Sequence, residues 1–540
     1  MLDKKQIDYT MNTLFSTLGI HPNIPISYGY DVKKNGVNIL CSSKIKDLPD
    51  SMGRKNFLIP PNFRMLESKT PVLYNNLSLD FGEPLFRYKN GETAVVYDSK
   101  KNVIYIGFDL AASAFYFLWL KEEEDFINTD VHDRFLAHNG NLSSRFAGQP
   151  VVNSYLHILF DSVRYMHDKL YLPLVQKWYW PSNRDFAVCL THDIDFLEPG
   201  ILYHLLLPFK CLYKLDFKRA VCALKRTWPL ICGRAINPWD YIKIAESEKA
   251  SGFRSTFFFT AGGRSRHDYP YDINKMKGAF LGLKNAGFEI GLHGSFNSYD
   301  NTVMLMNEKR KLEKVVGKIT GARQHYLRFD RDTWESQEKA NFGYDSTLCY
   351  ADTVGFRGGL AHPFFPYNRD TGERMKILEI PLTVMDKTLS EYENKNAEEA
   401  WDAIGKIIKN IERYNGMMTL LWHNELFDDN RFPGWEALYK KILAYLKNTN
   451  AWVVKAEDVH TWWRGRQNLL CENISKKDGG QEVVYRAKSD VENMTLRIYN
   501  LREGGCVIKC KGSVDIIKDD TFSINIDRIE KGEIVRLEMT

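Results

Sequence analysis

Short apolar runs, each followed by a polar turn, recur along the middle of the chain, and helical patterns separate several of them. The apolar runs cover residues 186–191, 256–259, 288–293, 326–329, 377–382, 418–423 and 452–454. The helical patterns cover residues 273–286, 302–316 and 397–414. Strands that alternate with helices predict a parallel sheet, and this number of strands favours a barrel over a doubly wound sheet. A dinucleotide-binding fold is disfavoured because no GxGxxG sequence follows the first strand.

The regions before and after this pattern have different arrangements of apolar and polar residues. Before it, strand-like runs at 37–41, 93–97 and 103–108 accompany a helix-like stretch at 109–124. After it, a polar, glycine-containing stretch at 471–481 is typical of a linker, and residues 494–499, 506–511 and 521–526 alternate apolar and polar side chains. We therefore predict an N-terminal α/β domain (1–175), a barrel (180–468) and a small C-terminal β domain (482–540).

Composition excludes several classes of protein. The chain has 540 residues, 44% of them hydrophobic, and a net charge of only +5, and no basic run is interleaved with stacking aromatic residues. These features argue against nucleic-acid binding. The first 15 residues lack an apolar signal-peptide core, the longest apolar stretches are too short to cross a bilayer, and the nine cysteines form no CxxC pair. We therefore expect a cytoplasmic chain.

Two carboxylates end the first strand of the predicted barrel, in the sequence Thr-His-Asp-Ile-Asp. Because side chains alternate along a strand, Asp193 and Asp195 project to the same side and His192 projects to the other. A buried carboxylate pair is costly unless something neutralises or uses it. One member can bind a cation while the other serves as a base. The alternative is that one of them caps a helix and the other has no functional role.

Histidines end two further predicted strands. His293 has the position of a ligand for zinc or a similar ion, and His423 has the position of a group that protonates a leaving atom. Asp386 can orient His423, or it can cap a helix. A charged cluster at 323–330 follows another strand, and an arginine there can orient a carboxylate because its planar fork donates two parallel hydrogen bonds.

Taken in order, these segments resemble the polysaccharide deacetylases of the NodB-homology class, which are similar to carbohydrate esterase family 4. The resemblance covers most of residues 186–463 and is carried by THDID, STFFF, EIGLHGSFNSY, RQHYLRFD, YDSTLCYADTVGFR, LEIPL and LLWHNELFD. Segments 109–116 and 130–135 also resemble the extra N-terminal domain of one bacterial branch of that family.

The resemblance implies a distorted (β/α) barrel and a role for each of five residues. Asp193 resembles the general base that activates the attacking water, and His423 resembles the general acid. Asp195 and His293 resemble ligands of a divalent metal, with zinc as the expected ion. Arg328 resembles the residue that holds the base.

One position departs from the family pattern. Asn297 stands where the second histidine ligand of a His-x-x-x-His motif is usual, and an amide oxygen is a poorer zinc ligand than imidazole. Three outcomes remain open. In the first, Asn297, water or another side chain completes a weak metal site. In the second, His325 serves as the second histidine ligand. In the third, the metal is lost, which leaves a binding protein or a metal-free hydrolase.

Three residues near the strand ends are candidates for substrate binding. Arg357 can contact an anionic sugar group, and Trp422 and Tyr350 can stack on sugar rings. Residues 201–235 are apolar and basic, with Asp216 as their only acid against Lys210, Lys214, Lys218, Arg219, Lys225, Arg226 and Arg234. This segment either lies on an anionic membrane surface, which suits a lipid-linked sugar, or covers the barrel with a solvated basic face.

The sequence therefore predicts hydrolytic deacylation, most simply deacetylation, of a sugar unit during synthesis of a surface polysaccharide. The rival hypothesis is an inactive glycan-binding or scaffold protein that keeps the fold. A third hypothesis is a metal-dependent hydrolase of a non-sugar amide, because a fold alone does not fix the substrate.

Overall fold

The structure of the chain is a computed structural model. It describes residues 2–29, 33–39, 83–87, 93–125, 129–195, 197, 201–213, 217, 220–221, 224, 240–269, 271–429, 432–477, 480–501, 506–507, 513–518 and 521–539. Within this part of the chain, an N-terminal α/β unit, a central curled parallel sheet with surrounding helices, and a C-terminal pair of antiparallel sheets follow one another.

The N-terminal unit packs helices on a mixed five-stranded sheet. Its strands, in spatial order β1-β2-β5-β4-β3, are β1 (Ile26–Tyr28), β2 (Gly36–Ile39), β3 (Glu83–Arg87), β4 (Thr93–Asp98) and β5 (Val103–Ile106). Its helices are α1 (Lys4–Leu18), α2 (Leu110–Leu118), α3 (Lys121–Asp125), α4 (Ser143–Phe146) and α5 (Val151–Lys169). The helix pattern at 109–124 divides into α2 and α3 because Leu120 adopts a left-handed conformation with φ 54°.

The central sheet contains only parallel strand pairs. Its strands are β7 (Phe186–Ile194), β8 (Thr256–Thr260), β9 (Glu289–Gly294), β10 (Gly321–Gln324), β11 (Tyr344–Asp345), β14 (Leu378–Glu379), β15 (Val384–Met385), β16 (Met417–Leu421) and β17 (Ala451–Val454). The order is β14-β11-β10-β9-β8-β7-β16-β15, and β17 pairs with the first half of β7. A short antiparallel hairpin of β12 (Tyr367–Asn368) and β13 (Glu373–Arg374) precedes β14.

The two edge strands of this sheet are joined by a very short connection. Residues 380–383 are all that separate β14 from β15, and so few residues span at most about 18 Å. The sheet must therefore curl to bring its two edges near each other. The result is the curled parallel half-barrel that the sequence pattern predicts, with the carboxyl ends of its strands at one rim.

Eight helices in the described part of the chain accompany the sheet, and most of them bury an apolar face. They are α6 (Ile201–Tyr213), α7 (Asp240–Ser251), α8 (Lys277–Asn285), α9 (Thr302–Val316), α10 (Arg331–Lys339), α11 (Ala397–Arg413), α12 (Trp435–Lys447) and α13 (Ala456–Asn468). In α11, an Asn396–Glu399 capping box fixes the start of the helix, and Ile404, Ile407 and Ile411 are buried at helical spacing. Among the described helices, none combines the length and the apolar character needed to cross a bilayer.

The position of β10 differs from the prediction. The apolar run at 326–329 was expected to be the strand, but the strand is Gly321–Gln324 and a short 3-10 helix, His325–Leu327, follows it. The strand sequence Gly-Ala-Arg-Gln has no β-branched or aromatic residue, so propensity does not reveal it. This shift places Arg323 inside the sheet and His325 at the strand end.

The C-terminal unit is a pair of four-stranded antiparallel sheets. One has the order β18-β19-β24-β21 and the other β22-β23-β20-β6. The strands are β6 (Leu174–Lys177), β18 (Leu469–Lys477), β19 (Gly480–Ala487), β20 (Val491–Tyr499), β21 (Cys506–Val507), β22 (Ser513–Lys518), β23 (Thr521–Ile529) and β24 (Ile534–Met539). The stretch at 471–481 is therefore not a linker. It forms β18 and the start of β19, and its polar side chains suit a strand at the edge of a sheet.

Candidate metal-binding active site

The carboxyl ends of β7, β9 and β10, which belong to a run of four adjacent strands with β8 between β7 and β9, bring four charged or imidazole side chains together. Asp193 lies in β7, Asp195 follows it, His293 lies in β9, and His325 follows β10. The strands are in parallel register, with Thr260 of β8 opposite His293 and His293 opposite Arg323. All four side chains are buried. The sequence prediction that Asp193, Asp195 and His293 meet at one rim therefore agrees with their placement.

Three of these side chains converge on one point. Asp195 Oδ1 lies 3.0 Å from His293 Nε2 and 3.3 Å from His325 Nδ1, and the two imidazole nitrogens are 3.0 Å apart. Ligand atoms placed tetrahedrally at zinc–ligand distances are about 3.4 Å from one another. The observed triangle is close to one face of such a tetrahedron.

Asp195 Oδ1 has the environment of a metal ligand. The atom is buried, and among the described residues none donates a well-directed hydrogen bond to it, although two imidazole nitrogens are near. An unsatisfied buried carboxylate oxygen is costly. One carboxylate with two imidazoles is a donor set found in catalytic sites for zinc and other divalent transition metals. The residues present therefore fit a divalent metal ion.

The hydrogen bonds of His325 select the tautomer that a ligand needs. His325 Nε2 donates to the backbone oxygen of His267 at 3.0 Å. The lone pair of a neutral ring is then on Nδ1, which faces Asp195. The next two residues, Tyr326 and Leu327, have φ values of 60° and 56°, and such left-handed conformations of non-glycine residues are characteristic of functional sites.

Asn297 does not join this cluster. Its side chain is exposed, and its amide oxygen accepts a hydrogen bond of 3.4 Å from Arg328 Nη1. The structure therefore places His325, and not Asn297, beside Asp195 and His293, and these three side chains form a group that could hold a metal ion. This arrangement corresponds to the second of the three alternatives that the sequence left open.

Arg323, rather than Arg328, holds Asp193. Arg323 is fully buried and its Nη1 donates to Asp193 Oδ1 at 3.0 Å and to Thr191 Oγ1 at 2.8 Å. The remaining guanidinium nitrogens donate to the backbone oxygen and the hydroxyl of Ser346. Both ends of the guanidinium are thus fixed, so Asp193 is held in one orientation with Oδ2 free of this arginine.

Arg328 instead links the N-terminal unit to the rim of the sheet. Its guanidinium donates to the backbone oxygens of His132 and Phe296 at 3.1 Å and 2.7 Å, and to Asp133 Oδ2 at 2.9 Å. It also lies between the rings of Phe296 and Tyr299, 4.2 Å from each centroid. The role of holding Asp193, which the family resemblance implied for Arg328, is occupied in the structure by Arg323.

The N-terminal segment at 130–134 forms part of the rim. Arg134 donates to the backbone oxygen of Tyr326 at 2.9 Å, and the ring of His132 lies 4.3 Å from the ring of Tyr326. Because Tyr326 follows His325, this segment supports the strained turn that carries a cluster residue. The sequence showed this segment only as a resemblance and gave no chemical role to it.

His423 stands on the other side of Asp195. Its Nδ1 lies 2.7 Å from Asp386 Oδ1, its backbone nitrogen donates to Asp386 Oδ2 at 2.6 Å, and its Nε2 is 3.7 Å from Asp195 Oδ2. Burial and the Lys387 charge lower the pKa of His423, but the Asp386 carboxylate outweighs them, so the pKa is raised. Asp386 is therefore placed to orient His423, one of the two roles left open for it.

A lysine that the sequence reasoning missed also contacts Asp195. Lys387 Nζ lies 3.4 Å from Asp195 Oδ2 and 2.9 Å from Glu425 Oε1. Burial would raise the pKa of Asp195, but the charges of His325 and Lys387 hold it well below its usual range. Burial would lower the pKa of Lys387, but Glu425 and Asp195 raise it. The position of Lys387 directly after Asp386 was the only signal available in the sequence.

The three predicted substrate-binding residues are buried by packing. Arg357 forms two hydrogen bonds with Glu123, at 2.9 Å and 2.6 Å. Trp422 is fully buried, with its ring 5.1 Å from the ring of Tyr439. Tyr350 is buried in a small cluster with Phe135. The structure does not bring these side chains to the cluster around Asp195.

The chain resembles known proteins in parts. A family model described as a family of unknown function, DUF7033, matches residues 2–168. No curated protein matches the chain. Similar solved structures include a Mycobacterium smegmatis protein described as a polysaccharide deacetylase, with 17% identity over 56% of this chain and 98% of that chain, and a TM-score of 0.38.

Two other solved structures are similar over about the same share of the chain. PuuE allantoinase is 16% identical over 53% of this chain and 92% of that chain, with a TM-score of 0.37. Peptidoglycan deacetylase PdaC from Bacillus subtilis is 12% identical over 52% of this chain and 93% of that chain, with a TM-score of 0.26.

Proposed function

We propose that this protein is a metal-dependent hydrolase that removes an acyl group, most simply acetyl, from a glycan. The observation that carries this proposal is the triangle of Asp195, His293 and His325 beside an arginine-held Asp193, with His423 on the opposite side. A metal ligand set, a fixed carboxylate and an oriented imidazole at one rim are the components of a hydrolytic site.

Each residue has a role that follows from its contacts. Asp195, His293 and His325 would hold the divalent metal, which would polarise the acyl carbonyl and lower the pKa of a water molecule. Arg323 fixes Asp193 through Oδ1, and Asp193 accepts the proton of the attacking water. Asp386 holds Nδ1 of His423, so that Nε2 faces the site and donates a proton to the leaving atom.

The bond changes balance with these groups alone. The water oxygen adds to the acyl carbon as its proton passes to Asp193. The bond from the acyl carbon to the sugar nitrogen or oxygen then breaks as His423 Nε2 protonates that atom. The products are acetate and a free amino or hydroxyl group on the sugar. The resemblance of the sequence motifs supports a glycan substrate and a place in the synthesis of a surface polysaccharide.

The proposal is tested by acetate release. Purified protein supplied with Zn²⁺ is incubated with an N-acetylated amino-sugar oligomer and with an O-acetylated glycan, and acetate is measured enzymatically. We expect release from at least one of them, loss of release in Asp193→Asn, and unchanged release in Asp402→Asn, which alters an exposed carboxylate of α11. Equal thermal stability of the two variants shows that the loss is chemical. Release that persists in Asp193→Asn would contradict the assignment of the base.

One observation favours the rival function. Lys387 places an ammonium 3.4 Å from Asp195 Oδ2, where it neutralises the carboxylate that a metal needs. A protein in which Lys387 permanently replaced the metal would bind glycans without cleaving them. Glycan binding by calorimetry, together with no acetate release at any Zn²⁺ concentration, would establish that alternative.

A further inference from the structure

Helix α6 exposes five large apolar side chains among those that the structure describes. The exposed fractions are 38% for Leu205, 56% for Leu206, 67% for Phe209, 41% for Leu212 and 90% for Tyr213. At 100° per residue these five positions fall within an arc of about 120° on the helix. Surface helices normally turn such a stripe toward the core, whereas this arc of α6 is exposed.

The apolar exposure continues beyond α6. Phe217, Val221 and Leu224 are exposed by 63%, 51% and 53%, whereas Ala220 between them is buried. These eight side chains, from Leu205 to Leu224, are termed the apolar strip. Large exposed apolar side chains that recur along one segment mark a surface that binds another protein or a membrane.

The sequence around the apolar strip is strongly basic. Residues 201–235 contain seven lysines and arginines and one acid, Asp216, a net charge of +6. Apolar side chains combined with an excess of lysine and arginine are the composition of segments that bind anionic lipid surfaces. A second copy of the chain would instead bring two segments of the same charge together, which is unfavourable.

The strip begins close to the candidate active site. Ile201 follows Asp195 by only six residues, which can span at most about 20 Å. Leu205, the first residue of the strip, is four helical residues further on, which adds about 6 Å, so a surface that binds Leu205 lies within about 26 Å of Asp195.

We propose that the apolar strip docks this protein on the surface of a membrane that contains anionic lipids. The apolar side chains enter the boundary between headgroups and acyl chains, and the basic residues of the segment bind the anionic headgroups. On the basis of the proposed function, the glycan to be deacylated is attached to a lipid carrier. The docked protein meets this glycan at the membrane surface.

The test is sedimentation of the full-length protein with vesicles, which needs no turnover and so does not depend on the deacylation proposal. Vesicles of phosphatidylcholine alone are compared with vesicles that also contain phosphatidylglycerol, at low and high salt. The variant is Phe209→Asp combined with Leu212→Asp. The matched control is Val303→Asp, which alters an exposed valine of α9 (67% exposed).

We expect the wild-type protein and the control to sediment with the anionic vesicles, more weakly with phosphatidylcholine alone and at high salt. The double variant should bind at least about tenfold more weakly, while its acetate release from a soluble acetylated oligomer stays unchanged. Light scattering should show the same molar mass for wild type and variant.

Two results would overturn the proposal. The first is a wild-type protein that stays in the supernatant with anionic vesicles. The second is a wild-type dimer that the double variant dissociates, which would show that a second copy occupies the strip. If vesicle binding is found without any acetate release, the docking surface stands and the proposed function fails.

Discussion

His325 Nδ1 lies 3.3 Å from Asp195 Oδ1 and 3.0 Å from His293 Nε2. The motifs of this chain resemble a family in which the second histidine ligand stands at the position of Asn297. Here Asn297 is exposed at the rim, and an imidazole from the next strand takes the place beside Asp195. A donor set of the same type is thus built from a different strand end, because β9 and β10 are neighbours in parallel register.

The two arginines of the segment after α9 should have separable effects. Arg323→Lys keeps the charge but loses the fork that bonds Asp193 and Ser346, so we expect kcat to fall at least about tenfold with little change in KM. Arg328→Lys loses contacts to the N-terminal segment but none to Asp193, so we expect a lower thermal stability with kcat changed less. Steady-state kinetics and thermal melts measure both. A larger loss of kcat in Arg328→Lys would assign the base-holding role to Arg328.

Asp386 should act through the orientation of His423. In Asp386→Asn the carboxylate that stabilises the imidazolium form of His423 is lost, so the pKa of His423 should fall and less of the general acid is protonated. We expect kcat to fall by about 100-fold or more with bound metal unchanged. The pH profile of kcat distinguishes this role from a purely structural one. The limb that reports deprotonation of the general acid, His423, should shift. An unchanged profile would remove Asp386 from the proton pathway.

Lys387 should compete with metal at Asp195. Removing its ammonium in Lys387→Met eliminates a positive charge 3.4 Å from the carboxylate, so we expect Zn²⁺ affinity to rise by at least about tenfold. The matched control is Lys395→Met, which removes a lysine paired with Glu393 instead. Competition titration with a chromophoric chelator measures both. Equal affinity in wild type and Lys387→Met would show that Lys387 moves away when metal binds.

A buried histidine outside the site should make the fold acid-sensitive. Burial, aided by Arg466, lowers the pKa of His362 to about 3, and its ring lies 3.0 Å from Asn153 Nδ2 and 2.9 Å from the backbone oxygen of Asn415. The unfolded chain binds a proton below pH 6.5 while the folded chain does not, so stability is lost as the pH falls from about 6.5 toward 3.

The variant His362→Gln isolates this contribution, because glutamine does not titrate. We expect the variant to melt below the wild type at pH 7.5, and the difference in Tm to narrow or reverse at pH 5. Melting curves by circular dichroism at the two pH values measure it. If the difference in Tm is the same at both pH values, the pKa of His362 is not lowered in the folded protein.

Much of the fold follows from local pattern. The buried strands β7, β8 and β16 are continuous apolar runs, and α9 and α11 have regular helical spacing, so both kinds of element were predictable. β10 was not, because Gly-Ala-Arg-Gln carries no strand propensity and the next apolar run was more strand-like. Arg328 was assigned from the family resemblance, and the unrecognised strand left Arg323 without a predicted place inside the sheet.

Contacts between residues that are far apart in the chain could not be predicted from local sequence patterns. Arg357 was a candidate for substrate binding, but its partner Glu123 is far away in the chain, and no local pattern reveals such a pair. The segment at 471–481 was predicted to be a linker because its polarity is also that of an edge strand, and its pairing partners lie later in the chain. Asp193, Asp195, His293 and His423 were predictable because each ends a recognisable strand.

The most direct test of the account is a Zn²⁺ titration of metal-stripped protein, with wild type, His325→Ala and Asn297→Ala compared by calorimetry. We expect the wild-type protein and Asn297→Ala to bind one Zn²⁺ per chain. We expect the Zn²⁺ affinity of His325→Ala to be lower by at least about tenfold. Loss of binding in Asn297→Ala with retention in His325→Ala would contradict the ligand set, and no binding by the wild-type protein would contradict the metal site itself.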